Sequence, residues 1–251
     1  MDKQPYGTVL LKADLILDFL ASSDHAHSLN QIAKATNLTN STALKILDTL
    51  NLMGYVQKDH ETKKFSLGTT LLKFANKAMS QLEIKKIAQP HMEALQKETA
   101  ETVHLGILDK TSVVYVTKID SSNPIILYSK IGKRIPLYCS AMGKAILADQ
   151  SDSEVEAYLT ENPLIKITDK TITTTKGFIQ EINRIRELGY AFDNGEHEEE
   201  VFCVGASLTR DGKNFGAISV SIPKYRLTDS FLDTTIKAVQ KCKAGIFTDL
   251  H

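Results

Sequence analysis

Between Ser28 and Gly54 the chain carries two short stretches of helical period separated by a cluster of turn-forming residues. Ser28 stands where an N-cap is needed for a helix with apolar positions Leu29, Ile32, Ala33 and Ala35. That helix runs into Thr36-Asn37-Leu38-Thr39-Asn40, whose polar side chains compete with helical backbone bonding and favour turns and caps. STALKILDTLNLM then resumes the helical period with Leu44, Leu47 and Leu50 inward, and Gly54 closes it where a left-handed backbone is needed. Upstream, Val9, Leu10, Ala13, Ile16, Leu17 and Leu20 predict an amphipathic helix from about Thr8 to Ala21, broken by SSDHAHS. A short helix, a four-residue turn and a longer helix that is polar at its start make a helix-turn-helix.

In such a unit the first turn of the second helix faces base edges in the major groove, where short polar side chains approach bases and phosphates closely. The residues so placed are Thr39, Asn40, Ser41, Thr42 and Lys45. After Gly54, YVQKD and KFSLG flank a turn at His60-Glu61-Thr62-Lys63, which predicts a hairpin with Lys58, Lys63 and Lys64 near its tip. A basic hairpin beside a reading helix is a wing: it contacts phosphate and adds affinity without sequence information. Residues 1–80 hold 9 Lys and no Arg against 7 acids, within a chain of 30 basic and 30 acidic residues. Neutrality argues against a polybasic coat or membrane binder but leaves room for a small DNA-reading module. Without Arg, base readout falls to Lys45, Asn40 and Thr42, and A·T-containing half-sites are expected. The same pattern also serves in protein-contact modules, so a small-molecule sensor acting through the winged helix on another protein is the alternative.

A chain of 251 residues has room for a second domain at roughly 150 residues each. Its 42% apolar and 24% charged content excludes wholesale disorder. Leu71, Leu72, Phe74, Ala75, Ala78, Met79 and Leu82 keep helical spacing after Gly68, so the boundary is a helix and not a flexible tether. IKKIAQPHMEALQKETAE follows, with Pro90 marking a kink or a new first turn. TVHLGILD, SVVYVTKID and PIILYSKIG predict strands joined at Asp109-Lys110 and Ser121-Ser122-Asn123. GFIQEINRIRELG predicts a helix ending at Gly189, Asp211-Gly212 a hairpin turn, and SFLDTTIKAVQKCKAGIF a closing helix that packs Cys242.

Two stretches in this second part suit a ligand. IPLYCSAMGKAILADQ breaks from extended chain at Ser140 into a short helix through Ala141, Met142 and Gly143, leaving backbone N–H groups pointing out of the helix start. An ordinary helix capped by Ser140 has the same sequence. In AISVSI, Ser219 and Ser221 share one face and Ile218, Val220 and Ile222 the other. Two such hydroxyls suit a polar ligand or, equally, a solvent-facing edge.

No nucleophile elbow, zinc-protease, P-loop or dinucleotide motif is present. Asp193, His197, Cys139 and Cys203 are zinc-ligand types, but no spacing requires a metal, and a zinc enzyme is the weakest reading. The cysteines read better as buried small apolar groups, and His197 as part of the solvated acidic run Glu196–Glu200, or that run as a charged loop over a pocket mouth. Three odd, widely spaced cysteines, the absence of a cleavable leader pattern, and no stretch of roughly 20 apolar residues lead to the expectation of a cytoplasmic protein that spans no membrane.

Taken together, STALKILDTL, GYVQKD, FSLG, ETVHLGILD, VVYV, LYSKIGKRIPLYCSAMGKAILA, IRELGYAFDNGE, CVGASLTRDG and AISVSIP resemble the IclR family of bacterial transcriptional regulators, in order and spacing along nearly the whole chain. The resemblance implies an α+β protein: a winged helix-turn-helix DNA-binding domain over 1–68, a linker helix over 69–82, and a GAF-like effector-binding domain with a largely antiparallel sheet over 83–251. It implies a non-enzyme without cofactor or metal. Its partners would be double-stranded operator DNA, a small carboxylate or sugar-acid effector, and further copies of the chain as homodimer or dimer of dimers. Carried over by position, the effector-binding residues are Leu127, Ile135, Ala141, Met142, Asp193, Cys203, Ser219 and Ser221. Tyr138, Cys139, Met142 and Lys45 depart from the family's common His, Ala, smaller residue and Arg. The first three changes are expected to alter the pocket volume. Ketodeoxygluconate-type sugar acids are the nearest effector class by likeness. The linker helix would convert effector binding into a change of half-site spacing.

Overall fold

The computed structural model describes residues 6–123 and 128–250 and divides into two compact units, Met1–Gln81 and Leu82–His251. Leu127 lies outside the described residues.

The first unit contains α1 (Thr8–Ala21), α2 (Leu29–Ala35), α3 (Asn40–Leu52), β1 (Val56–Lys58), β2 (Phe65–Leu67) and α4 (Thr70–Ser80). Ser28 caps α2 in a capping box with Gln31, which satisfies two backbone donors reciprocally. Thr39 caps α3, and Gly54 takes the left-handed conformation (φ 74°) beyond its end. The core joins Ile16 and Leu20 of α1, Ile32 of α2, Ala43, Ile46, Leu47 and Leu50 of α3, and Val56 and Phe65 of the hairpin. Leu44, expected inward, is only half-buried, whereas Leu47 and Leu50 are buried as expected and are joined by Ala43 and Ile46, a stripe at i, i+3, i+4 and i+7 that leaves Leu44 at its edge. Strands β1 and β2 pair Val56 with Leu67 and Lys58 with Phe65, and Asp59 accepts the N–H groups of Glu61 and Thr62 to close the turn. No residue of α4 is buried within the unit, and Leu72 and Phe74 stand exposed.

The second unit is built on an antiparallel sheet. Its strands are β3 (Thr102–Asp109), β4 (Ser112–Ile119), β5 (Arg134–Pro136), β6 (Ala191–Asn194), β7 (Val201–Arg210) and β8 (Lys213–Pro223), ordered β5-β4-β3-β8-β7-β6. Helices α5 (Glu83–Thr99) and α9 (Asp229–Asp249) pack together and against the sheet. The opposite face carries α6 (Ala141–Ala148), with α8 (Thr175–Leu188) against α6. Alternation along β8 sends Ile218, Val220 and Ile222 to one face and Ser219 and Ser221 to the other. The Asp211-Gly212 turn joins Arg210 to Lys213 with both turn residues at positive φ (51° and 75°), as a two-residue hairpin requires.

Two sequence readings are revised and one helix is new. Of the two alternatives at Pro90, a new first turn is ruled out: α5 begins at Glu83 and runs through Pro90, which loses one helical backbone bond there. The described part of PIILYSKIG is not a strand; the third strand of that region is Arg134–Pro136, and Gly132 N–H and Lys133 C=O bond back to Tyr115 as a turn. A helix not anticipated, α7 (Asp152–Glu161), starts at a Ser151/Glu154 capping box, a signal legible in the sequence.

Candidate functional site

A cavity lies between the α6 start and the sheet, lined by Tyr115, Ser129, Ile135, Ser140, Ala141, Met142, Asp193, His197, Glu198, Val201, Cys203, Ser219 and Ser221. The sequence-derived set Ile135, Ala141, Met142, Asp193, Cys203, Ser219 and Ser221 all lies on it. Its free volume is about 30 Å³, room for one or two waters. Outside it is an open groove of about 480 Å³ lined by Tyr128, Lys133, His197, Glu198, Glu199, Glu200 and Val201. His197, Glu198 and Val201 line both spaces, so the two adjoin there.

Two glycines allow α6 to begin against the sheet. A Cβ on Gly205 would lie 2.9 Å from the Ala141 carbonyl carbon and 3.0 Å from Met142 N, and one on Gly143 would meet the Leu137 backbone at 2.4 Å. Ser140 Oγ accepts the Gly143 N–H at 3.1 Å, so Ser140 does cap the helix. The Ala141 and Met142 N–H groups, first in the helix, have no intrahelical acceptor. Capping and anion binding are thus compatible here, because different N–H groups serve them.

Opposite the helix start, Asp193 of β6 pairs in register with Cys203 of β7, and Cys203 with Ser221 of β8. Asp193 Oδ1 accepts the Glu196 N–H at 2.6 Å. Burial pushes the Asp193 carboxyl up to about 7, against the lowering effect of the Glu196 and His197 backbone N–H groups. Burial also raises Glu198 and lowers His197, with Lys133 opposing the first and adding to the second. No Lys or Arg is among the described lining residues. Cys203 Sγ lies 3.2 Å from Ser221 Oγ, and burial raises its thiol pKa well above the usual range, so it is a neutral hydrogen-bonding group.

The acidic run turns out to be split. Glu199 and Glu200 are exposed, whereas Glu196 is buried on the wholly buried Lys144 of α6, and His197 and Glu198 edge the cavity. The loop is also tied by Thr168 and Thr171 hydroxyls donating to the Gly195 and Glu196 carbonyls. Of the two sequence readings of this run, the loop over a pocket mouth is the one that describes it. Sequence reasoning missed Tyr115, Ser129 and the supporting Lys144; only sheet register and the return of Tyr128–Gly132 bring the first two to the cavity. Tyr138 and Cys139 were expected to alter the pocket volume, but neither lines it: Tyr138 donates its hydroxyl to Ile165 C=O at 2.9 Å, and Cys139 is buried in the α6–α8 core. Met142 alone of the three lines the cavity. Among the described residues no group of three His, Cys, Asp or Glu is arranged to hold a metal. Nor is any helix among them long and apolar enough to cross a membrane.

In the first unit, Asn40, Ser41 and Lys45 are exposed on the first turns of α3. Thr39 donates its hydroxyl to Thr42 Oγ1 at 2.9 Å and accepts the Thr42 N–H at 3.2 Å, so these two hydroxyls organise the helix start before they meet anything else. Lys63 and Lys64 are exposed at the hairpin tip, while the Lys58 ammonium sits over the Phe65 ring at 5.2 Å.

These two units match two family models in order: the IclR helix-turn-helix domain over residues 9–60 and the bacterial transcriptional regulator IclR C-terminal domain over residues 76–247. The chain belongs to the IclR family of bacterial transcriptional regulators. Within that family it is 33% identical to the HTH-type transcriptional regulator KdgR of Escherichia coli over 92% of this chain and 89% of that one. Among solved structures it is similar to the Thermotoga maritima IclR, at 30% identity and TM-score 0.76, covering 97% and 98% of the two chains. An IclR homologue from Microbacterium hydrocarbonoxydans, complexed with 4-hydroxybenzoate, shares the fold at TM-score 0.81 and 22% identity, covering 96% and 98%. IclR membership makes the helix-turn-helix a DNA-binding element and makes this chain a regulator, not an enzyme.

Proposed function

We propose that the C-terminal unit of this regulator binds a small organic or sugar acid in the α6 cavity and thereby changes the affinity of the N-terminal unit for operator DNA. One observation carries the reading: helix-start N–H groups, strand hydroxyls and a carboxyl held near neutral pH converge on one cavity whose described lining has no Lys or Arg. Ala141 and Met142 N–H groups would take the carboxylate. Ser219, Ser221 and Cys203 would take keto or hydroxyl oxygens, Asp193 would donate from its protonated form, and Ile135 with Leu127 would cover the apolar part. Sugar acids of the ketodeoxygluconate kind fit this balance of polar groups, and the likeness to KdgR supports them. Such a ligand exceeds the 30 Å³ free here, so the pocket would have to widen, and the His197–Glu198 side it shares with the outer groove is where it would do so.

Operator contact falls to Thr39, Asn40, Ser41, Thr42 and Lys45 for bases and to Lys58, Lys63 and Lys64 for phosphates. A homodimer, or a dimer of dimers, would place two α3 helices on one operator. The exposed Val9, Leu10, Leu11 and Leu15 of α1 supply apolar surface for a second copy. Residues 1–68 act as reader, 69–82 as linker and 83–251 as sensor. The effector shifts the dimer only by its difference in affinity for two arrangements. A thermal-shift screen over keto acids, sugar acids and aromatic acids, followed by operator anisotropy with each hit, tests the reading. A ligand that raises the melting temperature and moves the operator Kd supports it; a hit that leaves operator binding unmoved would overturn the coupling.

A further inference from the structure

His104 of β3 stands one layer behind the cavity wall. It does not line the cavity, yet it contacts three side chains that do. Nε2 lies 2.8 Å from Ser129 Oγ and Nδ1 lies 3.4 Å from Ser221 Oγ, and the ring rests on Tyr115 with centroids 4.8 Å apart. The register fixes this position: His104 is paired with Ser219 on β8 and with Lys118 on β4, so its side chain shares the face of Ser219 and Ser221. Burial, aided by the Lys118 charge and opposed by Asp120, pushes the His104 pKa down to about 3. The ring is therefore a neutral imidazole near pH 7, with one N–H and one lone pair.

The two serines on this ring cannot then behave alike. One of them must donate its hydroxyl proton into the ring, and the other must accept the ring N–H. A serine that has donated its only proton to His104 meets a ligand as an acceptor. Its counterpart keeps its proton and meets a ligand as a donor. Exchange of the ring tautomer swaps the two serines but never lets both donate. Cys203, 3.2 Å from Ser221, extends the chain by one more hydrogen-bonding group.

Resting on the effector reading above, we propose that His104 sets the specificity of this cavity. By holding Ser129 and Ser221 in opposite hydrogen-bonding senses, it selects an acid that offers both an accepting oxygen and a donating hydroxyl, against acids without a hydroxyl. Because His104 touches no cavity space, replacing it changes the polarity of the wall and not its shape.

The test compares 2-keto-3-deoxygluconate, which carries hydroxyls, with pyruvate, which carries none, by calorimetric titration of the full-length wild type, His104→Phe and His104→Gln. In the wild type the hydroxylated acid binds more tightly. In His104→Phe that preference falls by about five- to tenfold, the scale of one hydrogen-bonding mismatch. His104→Gln, which keeps one donor and one acceptor, retains most of it. Undiminished preference in a folded His104→Phe would overturn the inference and leave the effector reading standing. Failure of both acids to bind the wild type would overturn the inference for these acids and count against the sugar-acid reading. A measurement on the wild type alone needs no variant to fold: nitrogen-15 shifts of the His104 ring at pH 7 should show one protonated and one bare nitrogen, and two protonated nitrogens would overturn the inference.

Discussion

The Lys144 ammonium, buried in the first turns of α6, lies 2.5 Å from Glu196 Oε1, and Glu196 passes its backbone N–H to Asp193 at 2.6 Å. Through these two contacts the helix that starts at the cavity also anchors the loop that edges it. Glu181 of α8 completes the group at 3.2 Å from Lys144.

Breaking this pair from one side should be costly. Lys144→Met leaves Glu196 buried without its cation, and burial already raises the Glu196 pKa against the lowering effect of Lys144. A loss of about 3–5 kcal/mol is expected by urea unfolding, the scale for an uncompensated buried charge. Lys144→Met with Glu196→Gln should recover part of that loss. A double variant no more stable than the single would show that the pair is not what holds the loop.

The Asp193 carboxyl makes a signed prediction with pH. Its pKa is raised from 3.8 to about 7, so the folded state holds the proton more tightly than the unfolded chain. The stability this contributes is complete below about 4 and is lost as pH rises to about 7. His104, lowered from 6.5 to about 3, gives the opposite slope over pH 3 to 6.5. Asp193→Asn cannot ionise, so its melting temperature relative to the wild type should climb between pH 4 and 7 and level off above. A flat difference across that window would show that Asp193 is ionised throughout.

The same carboxyl couples ligand to proton. An anionic effector beside Asp193 favours the protonated form further, so its affinity should fall by up to about tenfold per pH unit above 7. Calorimetry at pH 8 in two buffers of different ionisation enthalpy should report proton uptake on binding. Proton release would contradict the placement of the ligand carboxylate near Asp193.

Gly205→Ala tests the close approach of β7 to the α6 start. A Cβ there meets the Ala141 carbonyl carbon at 2.9 Å and Met142 N at 3.0 Å, both backbone, so neither can swing aside. A stability loss of about 1–3 kcal/mol is expected. Effector affinity should fall as well, because the displaced N–H groups are those offered to the carboxylate. A variant that binds effector normally would move the carboxylate site elsewhere.

For the reader unit, Lys45→Ala with Thr42→Ala should abolish preference for operator over unrelated duplex in a gel shift. Lys63→Ala and Lys64→Ala should instead weaken binding to all sequences, with the salt slope reduced by about 1 for each phosphate that is no longer neutralised. Sequence-specific binding that survives the first pair would reassign the reading helix. A salt-independent interaction would favour the protein-contact alternative.

The elements that were legible in the sequence are those whose signals are local. Helix α1 spans Thr8–Ala21 as its apolar spacing predicted; Ser28, Thr39 and Ser140 each cap a helix; Gly54, Gly189 and Gly212 each take positive φ at a turn or helix end. Local hydrogen bonding and steric freedom decide such features within four or five residues. Family likeness, not spacing, brought Asp193 and Cys203 forward as cavity residues.

The sequence by itself determined the two-part plan, the helix-turn-helix and hairpin, and which face of AISVSI carries hydroxyls, because periodicity and caps act along the chain. Only the tertiary structure decided which residues meet at the cavity. Whether Ser219 and Ser221 face solvent or an interior depends on β8 lying between β3 and β7 beneath α6. Whether Glu196 is a solvated acid or a buried anchor depends on Lys144, 52 residues away in the chain. His104 acquires its two serines through a sheet register and a turn separated by 117 and 25 residues. Contacts of that range are settled by packing across the whole unit, which no local pattern encodes.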